Sequence, residues 1–133
     1  MLNQKKINAT LNRFPLCGHA LIAQRGMAME YCAMGAIAKS LGVSDEQLNM
    51  FPSDGRSLFT MLAPRLNSEY GIETYEQFSN LMRTNDSAKN SATRNNEVKN
   101  TVTMMAVDEI VKMVEESKLL STESNEPSRG ARR

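Results

Sequence analysis

The last third of the chain imposes the strongest constraint on its fold. Between residues 97 and 118, Val98, Val102, Met105, Val107, Ile110, Val111 and Val114 recur at three- and four-residue intervals. That spacing returns side chains to one side of a helix, so 97–118 is predicted as one long helix with a wide buried stripe. Asp108 and Lys112 stand four residues apart on its wet side. So much apolar face is more than a small domain readily covers, which fits an obligate oligomer as well as a binder of another protein.

The same period runs through the rest of the chain. Ile7, Leu11 and Phe14 define a helix over 2–14 that Pro15 ends, because the residue before a proline is pushed out of helical geometry. Residues 16–25 form a short apolar stretch read as helical and closed by Gly26. Residues 30–42 carry Cys32, Ala33, Ala36, Ile37 and Leu41, with Gly42 placed for a left-handed cap. Ser44 with Gln47, and Thr74 with Gln77, each match a capping box, in which side chain and backbone of the two residues satisfy each other. The helix after Ser44 carries Leu48 and Phe51 and stops at Pro52. Ser53 or Asp54 is expected to cap the next, striped by Leu58, Met61, Leu62 and Leu66 and closed by Gly71, with Pro64 kinking or splitting it near Leu62. The helix after Thr74 buries Phe78, Leu81 and Met82.

Two polar segments complete the expectation. Residues 84–96 are rich in Asn and Ser and read as a long loop. From Ser121 the chain lacks apolar content and reads as a flexible tail. No segment alternates convincingly with period two. The predicted fold is all-α, a compact bundle of about six helices, with one helical domain over 1–120 and a tail over 121–133.

Composition narrows function mostly by exclusion. Sixteen basic residues against fifteen acidic leave a net charge of +1, not the basic excess of a nucleic-acid binder. Local excess exists: residues 1–25 hold Lys5, Lys6, Arg13 and Arg25 without an acid, and Arg129, Arg132 and Arg133 close the chain. Ten Met and no Trp make an adaptable core; Met also suits binding surfaces. Two cysteines are too few for a disulfide-stapled secreted domain. No signal-peptide core and no run near the roughly 18 apolar residues of a membrane span is present. The expected compartment is the cytoplasm.

Three constellations invite chemistry. Residues 36–51, AIAKSLGVSDEQLNMF, have helix-turn-helix spacing, with Ala38 small at the crossing and Gly42 in the turn. The second helix would offer Asp45, Glu46, Gln47 and Asn49 to DNA, and carboxylates facing phosphates lower affinity. A structural corner is therefore the preferred reading, and a DNA-binding regulator the alternative. Cys17, His19 and Cys32 are ligand types, but three of them at uneven spacing do not make a zinc site. Nor do they show the orienting group or oxyanion cradle of a thiol hydrolase, so buried, packed cysteines are expected. No metal, cofactor or phosphate loop is expected.

Three stretches, 21–43 (LIAQRGMAMEYCAMGAIAKSLGV), Arg83-Thr84-Asn85-Asp86 and 95–106 (NNEVKNTVTMMA), together resemble a family of small uncharacterised proteins of phage and bacterial genomes. The shared features are Gly26 after the first segment, the Cys32-Ala33-Met34-Gly35-Ala36 helix, the Asn85-Asp86 pair and the polar run through Arg94 and Asn96 to Val98. Met27 stands where that family commonly has Trp, which removes any aromatic role there. The resemblance implies no activity, but it directs attention to Gly35, since glycine inside a helix is about 1 kcal/mol worse than alanine. Asn85-Asp86 could simply close a turn. The sharper expectation is a polar cleft formed by Tyr31, Cys32, Gly35, Asn85, Asp86 and Arg94. Taken together, these features predict a non-enzymatic interaction protein, plausibly phage-encoded and then acting in the host cytoplasm. It would act on a host or viral protein, self-associate or hold a small ligand; nucleic acid and membrane are disfavoured.

Overall fold

The computed structural model describes residues 1–18, 20–88 and 91–125, with side chains throughout except at 91, 92 and 120–125. Among the described residues there are six helices and one hairpin: α1 (Gln4–Arg13), β1 (Ile22–Arg25), β2 (Ala28–Tyr31), α2 (Ala33–Ser40), α3 (Asp45–Met50), α4 (Arg56–Tyr70), α5 (Tyr75–Ser87) and α6 (Ser91–Asn125). The chain is mainly helical, but not all-α.

Helices α1, α2, α5 and α6 close a cycle in which α1 and α5 each touch both α2 and α6, and α4 packs on α1 and α5. α2 is the central element. Its Ala33 to Ala38 are all buried, so nearly every side of it meets protein. Small side chains make that possible, because they let neighbouring backbones approach. Around it Ile7, Leu11, Leu58, Leu66, Ile72, Phe78, Leu81 and Val98 are fully enclosed.

Hydroxyls tie the helices together inside this apolar shell. Tyr70 on α4 shares its hydroxyl with Thr10 on α1, at 2.7 Å, and with Ser40 on α2. The chain start is fastened beside it: the Asn3 amide donates to the Tyr70 carbonyl at 2.8 Å, and the Asn3 side chain caps α1. Gly71, at φ +67°, ends α4 in the left-handed region. A Cβ there would stand 1.8 Å from the Met1 carbonyl oxygen, so the bend and the crossing of the N-terminal segment both require glycine.

Both expected capping boxes are present, at Ser44/Gln47 and Thr74/Gln77. Ahead of α4 it is Asp54 that accepts from the Arg56 amide, across Gly55 at φ +75°. Four expectations are corrected. The helix expected over 16–25 is replaced from Ile22 by a hairpin: Arg25 pairs with Ala28 around a two-residue Gly26-Met27 turn, and Gly26 takes φ +61° as such turns demand. Pro64 does not split α4, which is continuous from Arg56 to Tyr70. Proline and the Thr60 carbonyl it leaves unbonded both lie on the exposed side, within reach of water. Residues 84–96 are not a long loop, since α5 runs to Ser87 and α6 begins at Ser91. Residues 121–125 are helical, and the rest of the expected tail, 126–133, lies outside the described residues.

Replacing Gly71 by alanine forces a β-carbon into the left-handed region and against a backbone carbonyl. The strain alone is about 1–2 kcal/mol, and the displaced N-terminal segment adds to it. The expected result is an unfolding free energy lowered by at least that amount, seen as a lower urea midpoint with an unchanged slope and read by circular dichroism.

Candidate functional site

Segment 15–21 converts the hairpin into a platform beside α2. The Tyr31 amide donates to the Pro15 carbonyl at 2.9 Å, and the Cys17 amide to the Tyr31 carbonyl at 2.8 Å. A third lane, Pro15 to Cys17, therefore lies beside β2 at Tyr31. The segment then crosses the start of α2, where the Leu21 carbonyl accepts from the Cys32 amide at 3.3 Å. Gly35 makes this crossing possible: a Cβ there would lie 2.0 Å from the Leu21 oxygen. Cys32 caps α2, its sulfur accepting from the Gly35 amide at 3.4 Å.

The far wall comes from α5 and α6. Asn85 is fully buried, and its Nδ2 donates to the Cys17 carbonyl at 2.5 Å and to Asp86 Oδ1 at 3.2 Å. Its backbone carbonyl accepts from Arg94 Nε at 2.9 Å, across the α5–α6 junction. The Arg94 guanidinium also lies against Gly18, where a Cβ would stand 3.2 Å from Nη2. Among the described residues the Asn85 carbonyl oxygen Oδ1 has no hydrogen-bond partner.

Of the six sequence-predicted residues, Cys32 and Gly35 lie against Leu21, Asn85 and Arg94 lie against Cys17 and Gly18, and Asp86 joins through Asn85 and through its charge, which both thiols feel. Tyr31 joins only by its backbone. Its ring packs edge-on against Phe14, and its hydroxyl donates to Asp45 Oδ1 at 2.9 Å, where Lys39 also donates at 2.6 Å. The Lys39 ammonium and the Tyr31 hydroxyl hold the Asp45 carboxyl below the usual carboxylate range. Burial, with the Asp45 charge beside it, pushes the Tyr31 phenol up.

The thiols are not set up as nucleophiles. Burial pushes Cys32 up to about 12, and burial together with the Glu30 charge raises Cys17. A catalytic thiol needs the opposite shift. His19 lies outside the described residues, and among those described no three His, Cys, Asp or Glu side chains group as metal ligands. In the 36–51 unit α3 is six residues long, and Asp45 is bonded to Lys39 and Tyr31. Its exposed positions include Glu46, Gln47, Asn49 and Met50, none of them cationic. No helix among the described residues is long and apolar enough to cross a membrane.

No family profile, curated protein or solved structure matches the chain. The likeness to small phage and bacterial proteins therefore rests on its short motifs alone.

A second surface was hidden inside the valine stripe of α6. Val98 and Val102 are fully buried and Met105 is half-buried, whereas Val107, Ile110, Val111 and Val114 are each about half exposed. At 3.6 residues per turn, Val107 lies about 180° round the helix from Val98. The stripe is two faces, one seated on the body and one turned away. Angular bookkeeping along the sequence separates them; counting three- and four-residue intervals does not.

Two outcomes follow for the cluster. Asn85→Ala leaves the Cys17 carbonyl without its buried donor, at a cost of about 1–3 kcal/mol in urea unfolding; an unchanged midpoint would show that the platform is held some other way. Iodoacetamide at pH 7.5 is expected to label neither cysteine of the native chain appreciably and both after unfolding, counted by intact mass.

Proposed function

We propose that this chain is a non-enzymatic interaction protein that engages a partner through the outer face of α6. The reading is supported by one observation above all. From Ile110 to Leu119 every residue of α6 is exposed, yet the segment includes Ile110, Val111, Met113, Val114 and Leu119. A solitary helix gains little from β-branched residues, which propagate helix poorly. It gains more once their apolar surface is buried against another element.

The attachment of α6 to the body suits this role. Its first half is bonded along its length: Asn95 to the Leu11 carbonyl at 3.2 Å, Lys99 to Asn12 at 2.5 Å, Thr101 to Thr84 at 2.8 Å and Gln4 to Thr103 at 2.7 Å. Glu109 receives the Leu2 amide at 2.8 Å and Gln77 at 3.3 Å. The apolar outer face is therefore carried on a helix whose root is fixed. The balanced net charge and the protonated thiols fit binding better than nucleic-acid contact or thiol chemistry. On the motif likeness, the partner would be a host or viral protein or the chain itself.

A benzophenone side chain installed at position 111 of the full chain, and separately at exposed Glu46 on α3, tests this in cell extract and with purified protein. Light-dependent adducts are expected from position 111 and not from position 46. Equal yields at both positions, or none at 111, would remove the reading.

A further inference from the structure

Resting on the reading above, we infer that the occupant of the outer α6 face is a second copy of the same helix, packed antiparallel about a two-fold axis passing between Ile110 and Val111. The pattern of the face carries this. Its apolar block is Val107, Ile110, Val111 and Val114, symmetric about that point. On the same side the sequence is polar at matching distances beyond both ends: Thr103, Asn100 and Asn96 towards the start, Lys118, Ser121 and Asn125 towards the finish. An isologous contact requires a patch that maps onto itself under rotation, and this one does. Val107 then packs on Val114 of the other copy, Ile110 on its Val111, and polar ends meet polar ends. No acidic side chain stands on the line from Val107 to Val114, so the pairing brings no carboxylates into its centre.

Direction follows from the dipoles. Antiparallel helices set opposite terminal charges side by side, while parallel ones set like charges together. The body does not obstruct the pairing, because it occupies the opposite side of α6, at Val98 and Val102. Area sets the strength. Four side chains about half exposed, with Met104 at 67% beside them, offer roughly half of the ~800 Å² per partner in a standard interface. A contact of that size fits a reversible dimer and not an obligate one.

Sedimentation equilibrium of the full chain across about 1–500 µM, a span bracketing micromolar dissociation, is expected to show mass rising from 14.8 kDa towards twice that value. Ile110→Glu and Val111→Lys should each keep the circular dichroism and Tm that the wild type shows when dilute and monomeric, since both side chains already face solvent, and each alone should stay monomeric. Mixed together they should dimerise again, because antiparallel packing sets position 110 of one copy against position 111 of the other. A parallel pair would oppose 110 to 110, so mixing would only remove like-charge contacts and would bring no Glu directly against a Lys. A wild-type chain that is monomeric throughout, or variants that do not rescue each other, would overturn the antiparallel self-pairing. If the position-111 cross-link then yields an adduct to a different protein, or a link within the chain to residues 126–133, the second copy is excluded. The different-protein adduct leaves the interaction reading standing; the internal link removes that reading too.

Discussion

The Leu21 carbonyl resting on the first turn of α2 is the contact on which the non-helical part of this protein depends. A helix start is normally surrounded by its own side chains; here Gly35 clears a space and another strand of backbone lies in it. Once Leu21 is seated, the Cys32 amide has an acceptor, Pro15 to Cys17 lie beside β2 at Tyr31, and the Cys17 carbonyl is turned inward to Asn85. The glycine is unfavourable for helix propensity by about 1 kcal/mol, a cost offset by a buried crossing that no larger residue could permit. The polar cluster of Asn85, Asp86 and Arg94 follows from that crossing.

Much of the helical frame was legible in the sequence because it is written in local rules. Ser44/Gln47 and Thr74/Gln77 cap where their side chains dictate, and Pro15 and Gly71 end helices by steric necessity. The hairpin was illegible for an equally physical reason. Period-two alternation needs one face buried along its length, and here only Ile22 and Tyr31, paired at the open end, are buried while Gln24 to Ala28 are exposed. Its order comes from the third lane at Pro15 and Cys17, a contact between segments that no window contains. Residues 84–96 misled in the other direction. Asparagine and serine favour turns through bonds to their own backbone, but Asn85 and Asn95 donate instead to carbonyls distant in sequence, at Cys17 and Leu11. Tertiary partners override the local preference.

The candidate cluster was half legible. Its members were picked from motif likeness, and the structure sets Cys32 and Gly35 against Leu21, and Asn85 and Arg94 against Cys17 and Gly18, with Asp86 joined through Asn85. What could not be read was the direction of Tyr31, whose hydroxyl turns to Asp45, or the state of the thiols, which depends first on burial. A cluster of this kind holds segments together first. Its chemistry is that of donors and acceptors at the junction of α5, α6 and the platform, with one acceptor, Asn85 Oδ1, unpaired among the described residues.

The two faces of α6 make folding and association parts of one problem. Valine and isoleucine lose side-chain freedom in a helix, and the loss is normally offset by packing. In the first half of α6 that packing is present, since Val98 and Val102 are closed in by α1 and α5. In the second half the same residue types recur with water around them. Were the segment selected only to extend the helix, alanine, glutamate or lysine at 107, 110, 111 and 114 would serve better at less risk of aggregation. The β-branched choice is intelligible if these positions are buried in the working state. Burial there, on the side opposite the body, needs a surface that the body itself does not supply.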